Sequence, residues 1–138
     1  MVGIVRSPDH DTRRSWTVYI TGSLKFRQCI GIISLRTFNE VENRWQLGYL
    51  YRPQYWGNGY ATESCLAAID CLRRELESSS AQGRANLVAY VDPGNEESIR
   101  VLEKLGFVMV GHKKLDGPDR FLAGQWRRAE NLIFKRGL

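Results

Sequence analysis

Apolar positions along this chain follow two periods. From Trp16 to Ile20 the residues are apolar and β-prone, which predicts a strand. Thr21 to Arg27, with Gly22 inside, reads as a connection, and Cys29 to Leu35 as a second strand that carries Gly31. Asn39 to Asn43 is a polar turn, and Trp45 to Tyr51 is a third, aromatic-rich strand. Three strands joined by short turns predict an antiparallel meander.

The period then changes. Ala61, Cys65, Ala68, Ile69, Leu72 and Leu76 recur at three and four residues. That spacing predicts an amphipathic helix over about 57–77, ended by Ser78-Ser79-Ser80 and Gly83. Asn86 to Val91 is nearly continuously apolar, as befits a strand covered on both faces. After the turn Asp92-Pro93-Gly94-Asn95 comes a second helix over about 96–105. Asn95 can cap it, Glu96 and Glu97 suit its positive first turn, Lys104 suits its negative end, and Gly106 can take the left-handed exit. Phe107 to Val110 begins another strand, Lys113 to Arg120 is a polar excursion, and a last strand lies between Gln125 and Phe134. The order β-β-β-α-β-α-β-β has a β-α-β-α-β centre. It predicts an α/β (α+β) domain with helices packed on a partly parallel sheet. Residues 1–15 read as a flexible N-terminal segment and 16–138 as one domain; Met1 to Arg6 holds a brief apolar patch but no signal-peptide core.

Composition narrows the partners. A length of 138 residues suits a single domain. The 20 basic and 15 acidic side chains leave a formal charge of +5, which invites a nucleic-acid reading. The charges are scattered, however, as Arg13-Arg14, Arg73-Arg74, Lys113-Lys114 and Arg127-Arg128, with acidic neighbours such as Glu75 and Glu130. No basic run interleaves with aromatics, so nucleic acid is not an expected partner, while an anionic cofactor suits the field. No apolar run is long enough for a membrane helix. Cys29, Cys65 and Cys71 form neither a disulfide framework nor a metal knuckle. A reducing, cytoplasmic compartment and no metal site are the simplest expectations.

Candidate chemistry concentrates where the third strand meets the first helix. Gln54-Tyr55-Trp56-Gly57-Asn58-Gly59-Tyr60-Ala61 places two glycines before a helix start, whose amides lack intrahelical partners. Glycines let the chain bend tightly and let an anion approach, so the turn is a candidate phosphate cradle. The alternative is a plain strand-to-helix turn. No Lys-Ser/Thr follows Gly59, so this is not a Walker sequence, and a meander strand before it argues against a dinucleotide fingerprint.

These residues resemble the acetyl-coenzyme A motif of the GCN5-related N-acetyltransferase (GNAT) superfamily, Gln/Arg-x-x-Gly-x-Gly/Ala, present here as Gln54-x-x-Gly57-x-Gly59. Leu47-Gly48-Tyr49 and Gly59-Tyr60-Ala61-Thr62-Glu63 resemble its ribosomal-protein-alanine N-acetyltransferase (RimJ/RimL-like) branch. Asn95-x-x-Ser98 with Leu102-Glu103-Lys104-Leu105-Gly106-Phe107 resembles the family's second helix and following strand. The likeness spans about residues 16–134. It implies a central, mixed, mostly antiparallel sheet with splayed strands. Because little precedes Trp16, the family's N-terminal strand and helical pair are expected to be reduced or missing.

The resemblance also implies a site. The cofactor, acetyl-coenzyme A, would lie between the strands at 45–51 and 86–91. Backbone groups near Tyr49, Leu50 and Tyr51 would hold its pantetheine arm. Gln54 and the amides of Trp56, Gly57, Asn58, Gly59 and Tyr60 would hold its pyrophosphate. Asn95 and Ser98 would meet it from the second helix, although Asn95 equally suits a plain helix cap. The implied reaction is direct transfer to a primary amine, of a protein N-terminus or a small molecule, through a ternary complex. It needs no cysteine nucleophile; Cys65 sits on the helix's apolar stripe.

Acid and base are less plain. The tyrosine many relatives carry seven residues after the motif asparagine is Leu102 here, and a common strand glutamate is Gln46; neither can transfer a proton in its relative's place. Ser98, Tyr49 and Glu42 are the candidate catalytic residues, with Glu40 beside Glu42. Bland readings stand next to these: close packing for Ser98, core packing for the aromatics, and exposed turn charges for the two glutamates. The departures at Gln46 and Leu102 keep open an alternative, a catalytically weak or inactive acyl-coenzyme A-binding regulatory module. A homodimer through the excursion near 113–125 is also left open.

Overall fold

The computed structural model describes residues 1–8, 12–21, 28–39, 43–78, 85–122 and 124–138. The meander forms as the alternation predicts, with longer strands: β2 (Arg13–Ile20), β3 (Cys29–Asn39) and β4 (Arg44–Tyr51), paired antiparallel. Ahead of it, residues expected to be flexible form β1 (Val2–Arg6), which pairs antiparallel with β2 from Val2↔Ile20 to Arg6↔Trp16. The three apolar side chains of β1 are too few to announce a strand by themselves; the free edge of β2 supplies the hydrogen bonds that make one. An opening strand is thus present, and among the described residues no helix lies between it and β2, as a reduced N-terminal strand and helical pair requires.

Helix α1 (Tyr60–Ser78) starts three residues later than its apolar period suggests, because Gly57 and Gly59 both hold φ of +77°. Left-handed residues do not continue a right-handed helix. Its buried stripe is Ser64, Cys65, Ala68, Ile69 and Leu72. Next come β5 (Asn86–Val91), α2 (Glu96–Lys104) and β6 (Val108–Lys114). The segment expected as one last strand divides: β8 (Gln125–Arg127) pairs with β7 (Arg120–Leu122) in a separate hairpin, and β9 (Glu130–Gly137) enters the main sheet between β5 and β6.

The main sheet runs β1-β2-β3-β4-β5-β9-β6. Every neighbouring pair is antiparallel except β4–β5. The result is an α+β, GNAT-like fold: a mixed, mostly antiparallel sheet with two α-helices among the described residues. Both helices pack on one face. Tyr51 reaches Ser64 of α1 from that face of β4, and Tyr49, two residues earlier and so on the same face, reaches Ser98 of α2. The core lies there, with Trp45, Leu47, Leu72, Leu87, Ala89, Leu102 and Phe107 buried. The opposite face presents Ile32 and Leu50, both more than half exposed.

Candidate functional site

The parallel ladder between β4 and β5 is short. It runs Arg44↔Asn86, Trp45↔Leu87 and Gln46↔Val88 and then stops, although the strands continue to Tyr51 and Val91. Beyond it the two strands are not paired with each other, and a gap opens in the sheet.

Ladder alternation says which backbone groups line that gap. Arg52 donates its N–H to the Ile30 carbonyl at 2.9 Å, so Leu50 and Gly48 also turn their groups toward β3. Leu47, Tyr49 and Tyr51 turn theirs toward β5. On β5, the Asn86 N–H meets the Asn43 carbonyl at 3.1 Å, so Val88 and Tyr90 face β4. Val88 is the last residue paired there, which leaves the Tyr90 amide and carbonyl facing open space. Of the strand residues read from sequence, Tyr49 and Tyr51 occupy gap-lining positions. Leu50 does not: its backbone groups serve β3, and its side chain lies on the exposed face. Tyr90 escaped the sequence reading, because its role depends on where the β4–β5 ladder ends.

The side chains at the gap are tied to the helices. The Tyr51 hydroxyl lies 2.6 Å from Ser64 Oγ and 3.7 Å from Cys65 Sγ. Burial, then the neighbouring Cys65, raises the Tyr51 phenol well above its ordinary value. Burial likewise pushes the Cys65 thiol up to about 12, so at neutral pH it is no nucleophile. The Tyr49 hydroxyl donates to the Ser98 carbonyl at 3.3 Å, and burial pushes that phenol up to about 12 against the lowering effect of Ser98. The two rings lie 6.0 Å apart, tilted by 53°. Leu102, where the family's tyrosine would stand, is buried in the core.

The glycine turn closes one end of the gap. A 3-10 turn, Pro53–Tyr55, follows β4. Asn58 Nδ2 donates to the carbonyls of Tyr55 and Trp56, each at 3.2 Å, and the Trp56 indole N–H donates to the Tyr51 carbonyl at 2.9 Å. At Gly57 and Gly59 a Cβ would meet nothing within 4 Å, so it is their left-handed φ, not crowding, that calls for glycine. The first intrahelical bond at this end runs from the Glu63 N–H to the Gly59 carbonyl, which leaves the amides of Tyr60, Ala61 and Thr62 without intrahelical partners. Gln54, Trp56, Gly57, Asn58 and Gly59 are all exposed beside them. Glu63 itself accepts the Val2 N–H at 3.3 Å and so belongs to the β1 contact.

Asn95 caps α2, its Oδ1 accepting the Ser98 N–H at 3.2 Å. The candidate glutamates Glu40 and Glu42 lie outside the described residues. On the far side of the β5–α2 corner, a cavity of about 490 Å³ is lined by Asp92, Gly94, Glu96, Gln125, Arg127 and Glu130, among others. Asp92 and Arg127 form an ion pair at 2.7 Å there, joining the β7–β8 hairpin to the corner.

A sheet with this strand order, opened between two parallel strands beside a glycine-led helix, is an acetyltransferase fold. Residues 4–108 match the Acetyltransferase (GNAT) domain family, and the chain belongs to it. It is 29% identical over 99 residues to spermidine N(1)-acetyltransferase of Escherichia coli, covering 72% of this chain and 48% of that protein. It is 34% identical over 87 residues to a putative ribosomal N-acetyltransferase of Bacillus subtilis, covering 63% of this chain and 44% of that protein. The chain spans less than half the length of these curated relatives. Among solved structures, spermidine N-acetyltransferase from Vibrio cholerae in complex with CoA and spermine superposes with a TM-score of 0.69 at 19% identity, over 92% of this chain and 66% of that one. At that identity the likeness is one of fold. The relatives include both ribosomal-type and polyamine-type enzymes, so they do not single out one branch.

Proposed function

We propose that this protein transfers the acetyl group of acetyl-coenzyme A directly to a primary amine through a ternary complex. The observation that carries the reading is the unpaired end of the β4–β5 gap meeting the left-handed glycine turn at the start of α1. The gap offers an extended pantetheine arm what a missing strand would meet: the amides of Tyr49, Tyr51 and Tyr90 and the carbonyls of Tyr49 and Tyr90. The turn offers the pyrophosphate the amides of residues 56–60, the N-terminal end of the α1 dipole and the polar side chain of Gln54. Asn95 and Ser98 stand at the α2 border of the gap. The likeness to a structure solved with CoA supports the same cofactor here.

The chemistry that follows is acyl transfer without an enzyme-bound intermediate. The amine lone pair forms the C–N bond as the C–S bond breaks, and gap-facing N–H groups of β4 stabilise the oxyanion. The ammonium proton goes to water or to a carboxylate, for which Glu42 is the candidate. The departing thiolate takes its proton from solvent. Tyr49 aids that departure. Its phenol, pushed to about 12, is a much weaker acid than a free thiol at about 8.5. It therefore donates a hydrogen bond to the thiolate without surrendering its proton. The sulfur competes with the Ser98 carbonyl for that donor.

Either a protein N-terminus or a small polyamine serves as acceptor in this reading, and the relatives point both ways. The test is acetyl-coenzyme A turnover with an amine panel that includes spermidine and N-terminal peptides, scored by thiol release. Amine-dependent release supports transfer. Cofactor binding without release favours the inactive binding module, for which the buried Leu102 is the specific observation. Failure to bind the cofactor overturns both.

A further inference from the structure

Trp56 is an unusual residue to find on the rim of an anion cradle. Its side chain is 53% exposed, so burial does not account for it. One contact gives it a purpose: the indole Nε1–H donates to the Tyr51 carbonyl at 2.9 Å. That carbonyl is the last on β4 to face away from β3, and no residue of β5 is paired with it. Left bare, it would point its lone pairs into the end of the gap, next to the turn where the pyrophosphate is assigned. A carbonyl oxygen there repels an anion, while the same oxygen capped by an N–H does not.

The bond also fixes geometry. Around Trp56, the Tyr55 N–H bonds to the Arg52 carbonyl at 3.0 Å and the Trp56 N–H to the Pro53 carbonyl at 3.1 Å. Asn58 ties the other side of the turn to the carbonyls of Tyr55 and Trp56. These contacts are all internal to the turn. Among the turn's own described hydrogen bonds beyond residue 55, the indole bond is the one that reaches back to β4. It joins the donors for the pyrophosphate to the strand that lines the pantetheine gap.

We propose that Trp56 is a positioning residue for the cofactor. Its indole caps the Tyr51 carbonyl, so the glycine turn is held at the end of the gap and presents only donors to the pyrophosphate. The inference rests on the acetyl-coenzyme A reading given above and adds to it a side-chain role distinct from that of the Trp56 amide.

The test is Trp56→Phe, which keeps an aromatic ring and removes the N–H, measured against two ligands. Coenzyme A carries the pyrophosphate; pantetheine carries the same thiol arm without it. Loss of one such hydrogen bond is expected to weaken coenzyme A binding about three- to tenfold, while pantetheine binding is unchanged. Trp56→His, which retains a ring N–H, is expected to recover part of the loss. The variants' melting temperatures establish that each is folded, and if Trp56→Phe is not, Trp56→Leu takes its place. The proposal is overturned if Trp56→Phe binds coenzyme A as the wild type does, or if it weakens both ligands alike. A wild-type protein that binds neither ligand overturns the acetyl-coenzyme A reading itself, and so is told apart from failure of the Trp56 inference alone.

Discussion

The Tyr49 hydroxyl and the Ser98 carbonyl, 3.3 Å apart, join β4 to α2 beside the point where β4 and β5 part. Tyr49 thereby sits at the gap with a hydroxyl donor directed at α2. Tyr49→Phe removes the donor and keeps the ring. If the hydroxyl supports the departing thiolate, the loss is that of a hydrogen bond to a charged group, a fall of about ten- to hundredfold in kcat. The KM for acetyl-coenzyme A should move little, because the strand amides remain. Steady-state kinetics at saturating amine check this; an unchanged kcat would remove Tyr49 from the mechanism.

Gly57 and Gly59 both hold φ near +77° with open space around the absent Cβ. Alanine at either position meets no clash, so its cost is purely conformational, about 1–2 kcal/mol for a left-handed residue. Denaturant titration of Gly57→Ala and Gly59→Ala should show that loss. Asparagine, which tolerates the left-handed region better, should cost less at both sites.

Cys65 gives a pH signature. Its thiol is raised by burial from 9.0 to about 12 in the folded state. Between those values the unfolded chain has released the proton and the folded chain still holds it, so raising the pH favours unfolding. The stability tied to Cys65 is therefore complete below about pH 9 and is lost as pH rises toward 12. Cys65→Ala should flatten the alkaline fall in unfolding free energy relative to the wild type. Urea titrations at neutral and alkaline pH compare the two slopes; parallel slopes would mean the thiol ionises freely in the folded protein.

What was legible in the sequence was local. The stripe Cys65, Ala68, Ile69 and Leu72 is buried as its period requires, since a helix's own geometry fixes which residues share a face. The cap at Asn95 was readable for the same reason. What depended on distant partners was not. β1 becomes a strand because β2 lies beside it, and Tyr90 faces the gap because the ladder to β4 stops at Val88. Leu50 shows the limit within a correctly placed strand: knowing that 45–51 is a strand leaves open which alternate residues turn toward the gap, and that parity is set by pairing with β3.

Asn95 caps α2, and a substitution pair can separate that duty from the cofactor contact proposed for it. Its Oδ1 caps α2 through the Ser98 N–H, while its Nδ2 has no hydrogen-bond partner among the described residues and stands at the border of the gap. Asn95→Ala removes both groups and should cost about 1 kcal/mol of stability through the lost cap. Asn95→Asp keeps an oxygen acceptor at the cap and adds a negative charge at the positive end of α2, so stability should return to the wild-type level or slightly above it. If Nδ2 donates to the cofactor arm, the aspartate cannot replace it and brings a carboxylate close to the cofactor. Asn95→Asp should then combine a wild-type melting temperature with weakened acetyl-coenzyme A binding. Calorimetry on the three proteins decides the matter: recovery of both stability and binding in Asn95→Asp would reduce Asn95 to a helix cap.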